Sequence, residues 1–152
     1  MEKLISYLNE IETNISKLDQ KNDTVSAVSV GWQIDHVLRV INGISGQLKK
    51  SNPADFKSEF NLKRFLVFTT NHIPRGKAKA PKQVVPDTVA TENELLEKLS
   101  LARQNIEEIK ELKGNYFFRH PYFQDLNVKQ TNKFLGLHTF HHLKIIRDIV
   151  SK

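Results

Sequence analysis

Apolar residues recur through this chain at alternating spacings of four and three, and that period constrains the fold more than any other feature. Leu4, Leu8, Ile11, Ile15 and Leu18 mark one face of a first helix. Trp32, Val37, Leu38, Val40, Ile41, Ile44 and Leu48 mark a second, from about 30 to 50, with Ser29 or a near neighbour as its cap and Asn52-Pro53 as its stop. Lys21 to Ser29 reads as a loop. A shorter third helix runs from Leu62 to about His72 with Phe65, Leu66 and Phe68. Pro74, Gly76, Pro81 and Pro86 then break the chain into a long loop. Thr91 and Glu94 form a capping box for a fourth helix, which carries Leu95, Leu99, Ala102, Ile106 and Ile109 and runs to about Lys113, with Gly114 as its C-terminal cap. Asn127 caps a last helix that continues to about Val150. No strand pattern is legible; Val84-Val85 is too short to count. The expectation is a single all-α domain over residues 1–152.

Composition removes several function classes. There is no cysteine, so disulfides, thiolate metal sites and a cysteine nucleophile are excluded. The N-terminus MEKLISYLNEIE is interrupted by charge too early for a signal peptide, and no apolar run reaches the roughly 18 residues of a membrane span. A cytoplasmic protein with no membrane partner is the default expectation. The net charge is +6, and Arg75, Lys77, Lys79 and Lys82 in one loop supply four of those charges. A nucleic-acid binder spreads its cations along a face and interleaves aromatics, so no nucleic acid is expected. The loop suits an anionic small ligand, with Arg75 and Lys77 as substrate-binding candidates because arginine offers a bidentate fork. The competing reading of the loop is a solvated linker.

Three of the six histidines, His138, His141 and His142, lie in the last helix. His138 and His142 are separated by four, so they share a face, with Cβ atoms roughly 6 Å apart. Their stripe continues through Leu135, Ile145 and Ile149 and therefore faces the core. Burying two polar rings costs free energy unless each has a partner, and one metal ion partners both. His36 lies on a stripe with Trp32, Val40 and Gly43 in the second helix and can supply a third ligand. Three imidazoles with the remaining positions open is a catalytic type of site. A di-iron bundle is disfavoured, because none of the six histidines has Glu three positions before it. His141 is expected to point aside, and Asp35 to orient a ring or face solvent. Trp32, Phe118, Tyr122 and Phe123 either wall an apolar pocket or pack the core. His120 stands in the segment HPYFQDL, with Arg119 and Arg39 as weaker anion-binding candidates.

VGWQIDHVLRVI around His36 and LHTFHHLKII around His138 and His142 resemble the DinB-like superfamily, which includes bacillithiol- and mycothiol-linked transferases. HPYFQDL is similar to an HPxFG-like segment, with Gln124 where glycine is common, and IPRGKAKAPKQVVP to an IPRG…APK loop, of a DinB-related bacterial family of unknown function. The resemblance covers about 25 to 150. It implies an up-down four-helix bundle with a long crossover loop and a metal-binding triad of His36, His138 and His142. It also implies a divalent ion (zinc, nickel or iron) and a small-molecule substrate, with a low-molecular-weight thiol as cosubstrate. Trp32 and His120 join Arg75 and Lys77 as substrate-binding candidates. The expected activity is a metal-dependent thiol S-transferase or hydrolase. The alternative is a non-enzymatic, metal-stabilised binding or stress-response module. A homodimer is open but not demanded.

Overall fold

The computed structural model describes residues 2–76, 81–112 and 114–151. Five helices carry most of them: α1 (Glu2–Asn14), α2 (Val30–Lys50), α3 (Leu62–Thr70), α4 (Glu92–Lys110) and α5 (Val128–Val150). The expected N-terminal caps are in place. Ser29 accepts from Trp32 N at the start of α2. Thr91 with Glu94, and Asn127 with Gln130, form capping boxes at the starts of α4 and α5. No described helix is long and apolar enough to cross a membrane.

Most of the core lies at helical-period positions of α1, α2, α4 and α5, whereas Phe65 and Leu66 of α3 are exposed. Leu8 and Ile11, Ile34, Leu38 and Ile41, Leu95 and Ile106, and Leu135 and Ile146 are all fully buried. Polar ties between helices set their directions. Asp35 meets Lys98, Asn42 meets Asn105, and Lys49 meets Asn105 and Glu108. Residue numbers rise together along α2 and α4, so these helices run the same way. Gln33 near the start of α2 meets His142 far along α5, so those two run oppositely. Glu10 meets Arg147, and Tyr7 stacks on Phe140, which aligns α1 with α5. Because α2 and α4 are parallel, residues 51–91 must carry the chain back along the molecule, and α3 lies within that return.

The purely helical expectation needs one correction. Residues 117–127 form an antiparallel hairpin, β1 (Phe117–His120) and β2 (Gln124–Asn127), in register from Phe117–Asn127 to His120–Gln124. Each strand has four residues, too few for alternation to be read. Gln124 takes φ +62°, a left-handed conformation that favours glycine. The hairpin packs on α2 and α5 and is tied to α3, where the Arg64 guanidinium donates to the carbonyls of Phe123 and Asp125. A second correction concerns α4. It ends at Lys110 with Glu111 as its cap, so Gly114 at φ +78° turns the chain beyond the helix and does not cap it. Val84 belongs to a 3-10 turn, Lys82–Val84.

Gly31 fixes how α2 starts. Its N–H donates to the Leu18 carbonyl at 2.8 Å, and a Cβ there would lie 2.9 Å from the same oxygen. Only glycine permits this approach of α2 to the end of the first helical segment. The approach sets the axial position of everything on the next turns of α2, including Gln33 and His36.

Candidate metal centre

The site forms where the oppositely running α2 and α5 face each other. His36 comes from α2, and His138 and His142 from consecutive turns of α5. The ring centroids are 5.1 Å apart for His36–His138, 4.7 Å for His36–His142 and 4.5 Å for His138–His142. One nitrogen of each ring lies within 4.8 Å of the other two. Three atoms so spaced lie within about 2.8 Å of a common point, against about 2.0–2.1 Å for a zinc–imidazole bond. Ring adjustments of under an ångström close that gap.

Two rings have their orientation set from behind. His36 Nδ1–H donates to the Val84 carbonyl at 2.7 Å, which leaves Nε2 as its free ligand atom. His142 Nδ1–H donates to Gln33 Oε1 at 2.6 Å, which frees Nε2 there too. The third ring carries the sharper signal. His138 Nδ1 is buried and has no hydrogen-bond partner among the described residues. An orphaned imidazole nitrogen costs free energy, and among the described residues no hydrogen bond fixes which nitrogen this ring presents to the other two, so it is free to serve as a ligand. The residues present therefore fit a metal ion.

The electrostatics agree. Burial holds all three imidazoles below the ordinary histidine range; His138 and His142 are pushed well down, and their neighbouring histidines add to the effect. For His36 the Val84 carbonyl and the Asp35 charge partly oppose it. All three are therefore neutral at pH 7, the form that binds metal.

The other sequence-derived candidates are placed as follows. Trp32 stacks on His36, with centroids 5.2 Å apart and planes inclined by 17°. Gly43, on the same predicted stripe, is exposed. Asp35 does not face solvent. It is 1% exposed and pairs with Arg39 at 3.1 Å and Lys98 at 2.7 Å. Arg119 is engaged by the carboxylate of Asp125, so both weaker anion-binding candidates hold internal acids. Arg75 pairs with Asp148 at 2.7 Å near the end of α5. Lys77 lies outside the described residues, as does Lys79. His141 turns its ring edge-on to His142 and is not part of the triad.

His120 is brought near the triad but not into it. Its ring stacks on Phe123 at 4.3 Å and meets Phe134 edge-on at 4.6 Å, and Phe134 in turn lies 5.6 Å from His138. His120 Nδ1 accepts from the N–H groups of Tyr122 and Phe123. The ring is thereby held neutral with its proton on Nε2, and burial pushes its pKa down to about 4. Phe118 and Phe123 are buried around it, whereas Tyr122 is 40% exposed. Gln33 and Val84 are functional positions that sequence reasoning missed. Gln33 carries a faint signal, a polar residue one turn before His36 on the inward face. Val84 carries none, because a carbonyl has no sequence identity.

No curated protein and no solved structure is significantly similar to this chain. One family model, described as "Protein of unknown function (DUF1569)", matches residues 5–149 and so takes in both helices of the triad and the hairpin. With nearly the whole chain inside that match, the chain belongs to the DUF1569 family.

Proposed function

We propose that this is a DinB-like four-helix-bundle metalloprotein that holds one divalent ion through His36, His138 and His142 and acts on a small molecule. The observation that carries the reading is the convergence of three neutral imidazoles with one buried, unpartnered nitrogen among them. The parallel α2 and α4, joined by a long return, support the bundle. Three protein ligands leave at least one coordination position open. His36, His138 and His142 would hold a zinc, nickel or iron ion, which would supply Lewis-acid activation of a thiol or water near neutral pH. The chain has no cysteine, so a thiol must come from a cosubstrate. The reaction class is transfer of a low-molecular-weight thiol to an electrophile, with hydrolysis as the same chemistry using water.

The chain's own residues position and shield. Gln33 and Val84 hold two ligand rings in the tautomer that presents Nε2. Trp32 covers one face of His36. Arg75, and Lys77 beyond the described residues, are proposed to meet an anionic group of the substrate. For Arg75 this requires exchange of Asp148, whose carboxylate is half exposed and so displaced at little cost. His120 and the rings around it are proposed to border the substrate. The test is a screen of thiols paired with electrophiles on metal-loaded protein, with metal-free His138→Ala as control. Turnover confined to the loaded wild type is the expected result. Full metal content without turnover of any thiol or of water removes the enzymatic part and leaves a metal-stabilised binding module.

A further inference from the structure

The groups behind the ligand rings are neutral, and one of them did not have to be. Histidine ligands are commonly backed by a carboxylate or a backbone carbonyl. Here His36 is backed by the Val84 carbonyl and His142 by the Gln33 amide, at 2.7 and 2.6 Å. The amide is oriented from its far end. Gln33 Nε2 donates to Ser26 Oγ at 3.1 Å, and that hydroxyl also accepts from Val28 N at 3.3 Å. Reversing the amide would aim its NH₂ at His142 Nδ1. The proton would then move to Nε2, and that nitrogen could not ligate. Gln33, 3% exposed and held at its far end by Ser26, presents its amide oxygen to His142 Nδ1 and so goes with the tautomer that leaves Nε2 free.

Nearby acids do not supply the charge that Gln33 withholds. Asp35 acts on His36, but its carboxylate is already bound by both Arg39 and Lys98. The titratable groups felt at neighbouring His141 are Lys144, Arg75 and His72, each disfavouring its protonation and none a carboxylate among the described residues. Among the described residues, His138 and His142 feel other histidines and no carboxylate. A divalent ion here would have no carboxylate among its described ligands or among the groups that hydrogen-bond their rings, in a site that burial has largely desolvated.

We infer that Gln33 is a specificity-determining residue of this centre: its neutral amide behind His142 leaves the ion's charge uncompensated, so the site selects an anion over a neutral molecule as its exogenous ligand. This rests on the metal-binding reading above and specifies the ligand class for that site. Gln33→Glu keeps the size and the acceptor oxygen but adds the missing negative charge. Gln33→Leu keeps the bulk and removes the acceptor.

The experiment uses cobalt(II)-loaded full-length protein, titrated with azide as the anionic probe and imidazole as the neutral one, and followed by visible absorption. Cobalt affinity is measured by chelator competition and folding by circular dichroism. In the wild type azide binds tightly relative to imidazole. In Gln33→Glu azide weakens at least tenfold, imidazole changes less than threefold, and cobalt is held at least as tightly. In Gln33→Leu cobalt affinity falls 10- to 100-fold, the usual result of removing an outer partner of a histidine ligand. Equal azide affinity in wild type and folded, loaded Gln33→Glu overturns the inference while leaving the metal site standing. Unchanged cobalt affinity in Gln33→Leu overturns Gln33's hold on His142. Wild-type protein that takes up no cobalt, zinc, nickel or iron overturns the metal reading and this inference with it.

Discussion

At the scale of single residues, the triad makes a sharp distinction between two adjacent histidines. His138 contributes a buried, unpartnered Nδ1, whereas His141 stands edge-on to His142 outside the triad. His138→Ala should therefore reduce metal content, measured by elemental analysis, from close to one equivalent to near zero. His141→Ala should keep most of it. Equal losses from both would show that the inward face of α5 is misassigned. A second residue-scale prediction concerns Gln124. Its φ of +62° costs a residue with a Cβ about 1 kcal/mol. Against this it gains one exposed hydrogen bond, to Glu59 at 2.9 Å. Gln124→Gly should leave stability unchanged or raise it by up to about 1 kcal/mol, a shift of roughly 2–4 °C in Tm for a domain of this size. A drop of several degrees would mean the Glu59 contact outweighs the backbone strain. The histidine ligands were legible because spacing of four and an inward stripe are sequence properties. Gln33 was not, because its role depends on a ring 109 positions away and on Ser26 holding its amide.

At the scale of elements, the helices followed from periodicity and caps, and the hairpin did not. Its strands are short, and their aromatic content reads equally well as core packing or as a loop. The register between helices was also hidden. It depends on Gly31, where the backbone of α2 touches the Leu18 carbonyl. Gly31→Ala puts a Cβ against a backbone oxygen that cannot swing away. The expected cost is about 1–3 kcal/mol, read by urea unfolding. Because the clash pushes α2 along or away, it should also weaken metal binding, although Gly31 is far from coordinating distance. Wild-type stability in Gly31→Ala would show that the segment before α2 adjusts freely. The tie between α2 and α4 gives a companion prediction. Asp35 is buried, and Lys98 is one of its two cations. Lys98→Met leaves the carboxylate with Arg39 alone and should cost on the order of 2 kcal/mol, below the range for a fully buried pair because Lys98 is 29% exposed. Asp35→Asn in the Lys98→Met background should recover part of that loss.

At the scale of the whole molecule, metal and protons compete for the same neutral rings, so stability should depend on both together. Unfolded histidine has a pKa of about 6.5. Burial holds His36, His138 and His142 below that in the folded chain, and His120 down at about 4. Below pH 6.5 the unfolded chain therefore binds protons that the folded chain refuses. Stability is complete above pH 6.5 and declines as pH falls from there towards 4. His120 alone accounts for about 3 kcal/mol of that decline, because the gap in its pKa is large and its ring is buried. A metal ion binds only the neutral triad, so it adds a stability increment that is lost only where the folded rings themselves protonate, at lower pH than an ordinary imidazole. With free ion at 100 times its dissociation constant, the gain is about 2.7 kcal/mol, or roughly 5–10 °C in Tm, at pH 7.5. Thermal scans with and without ion should show that increment persisting as pH falls through about 6.5 and declining only in more acid solution, where the folded rings protonate. His138→Ala should lose the metal increment at every pH yet keep the acid slope that His120 contributes. An increment already lost on passing pH 6.5 would mean that the ion is held by ordinary, exposed histidines and not by this buried triad.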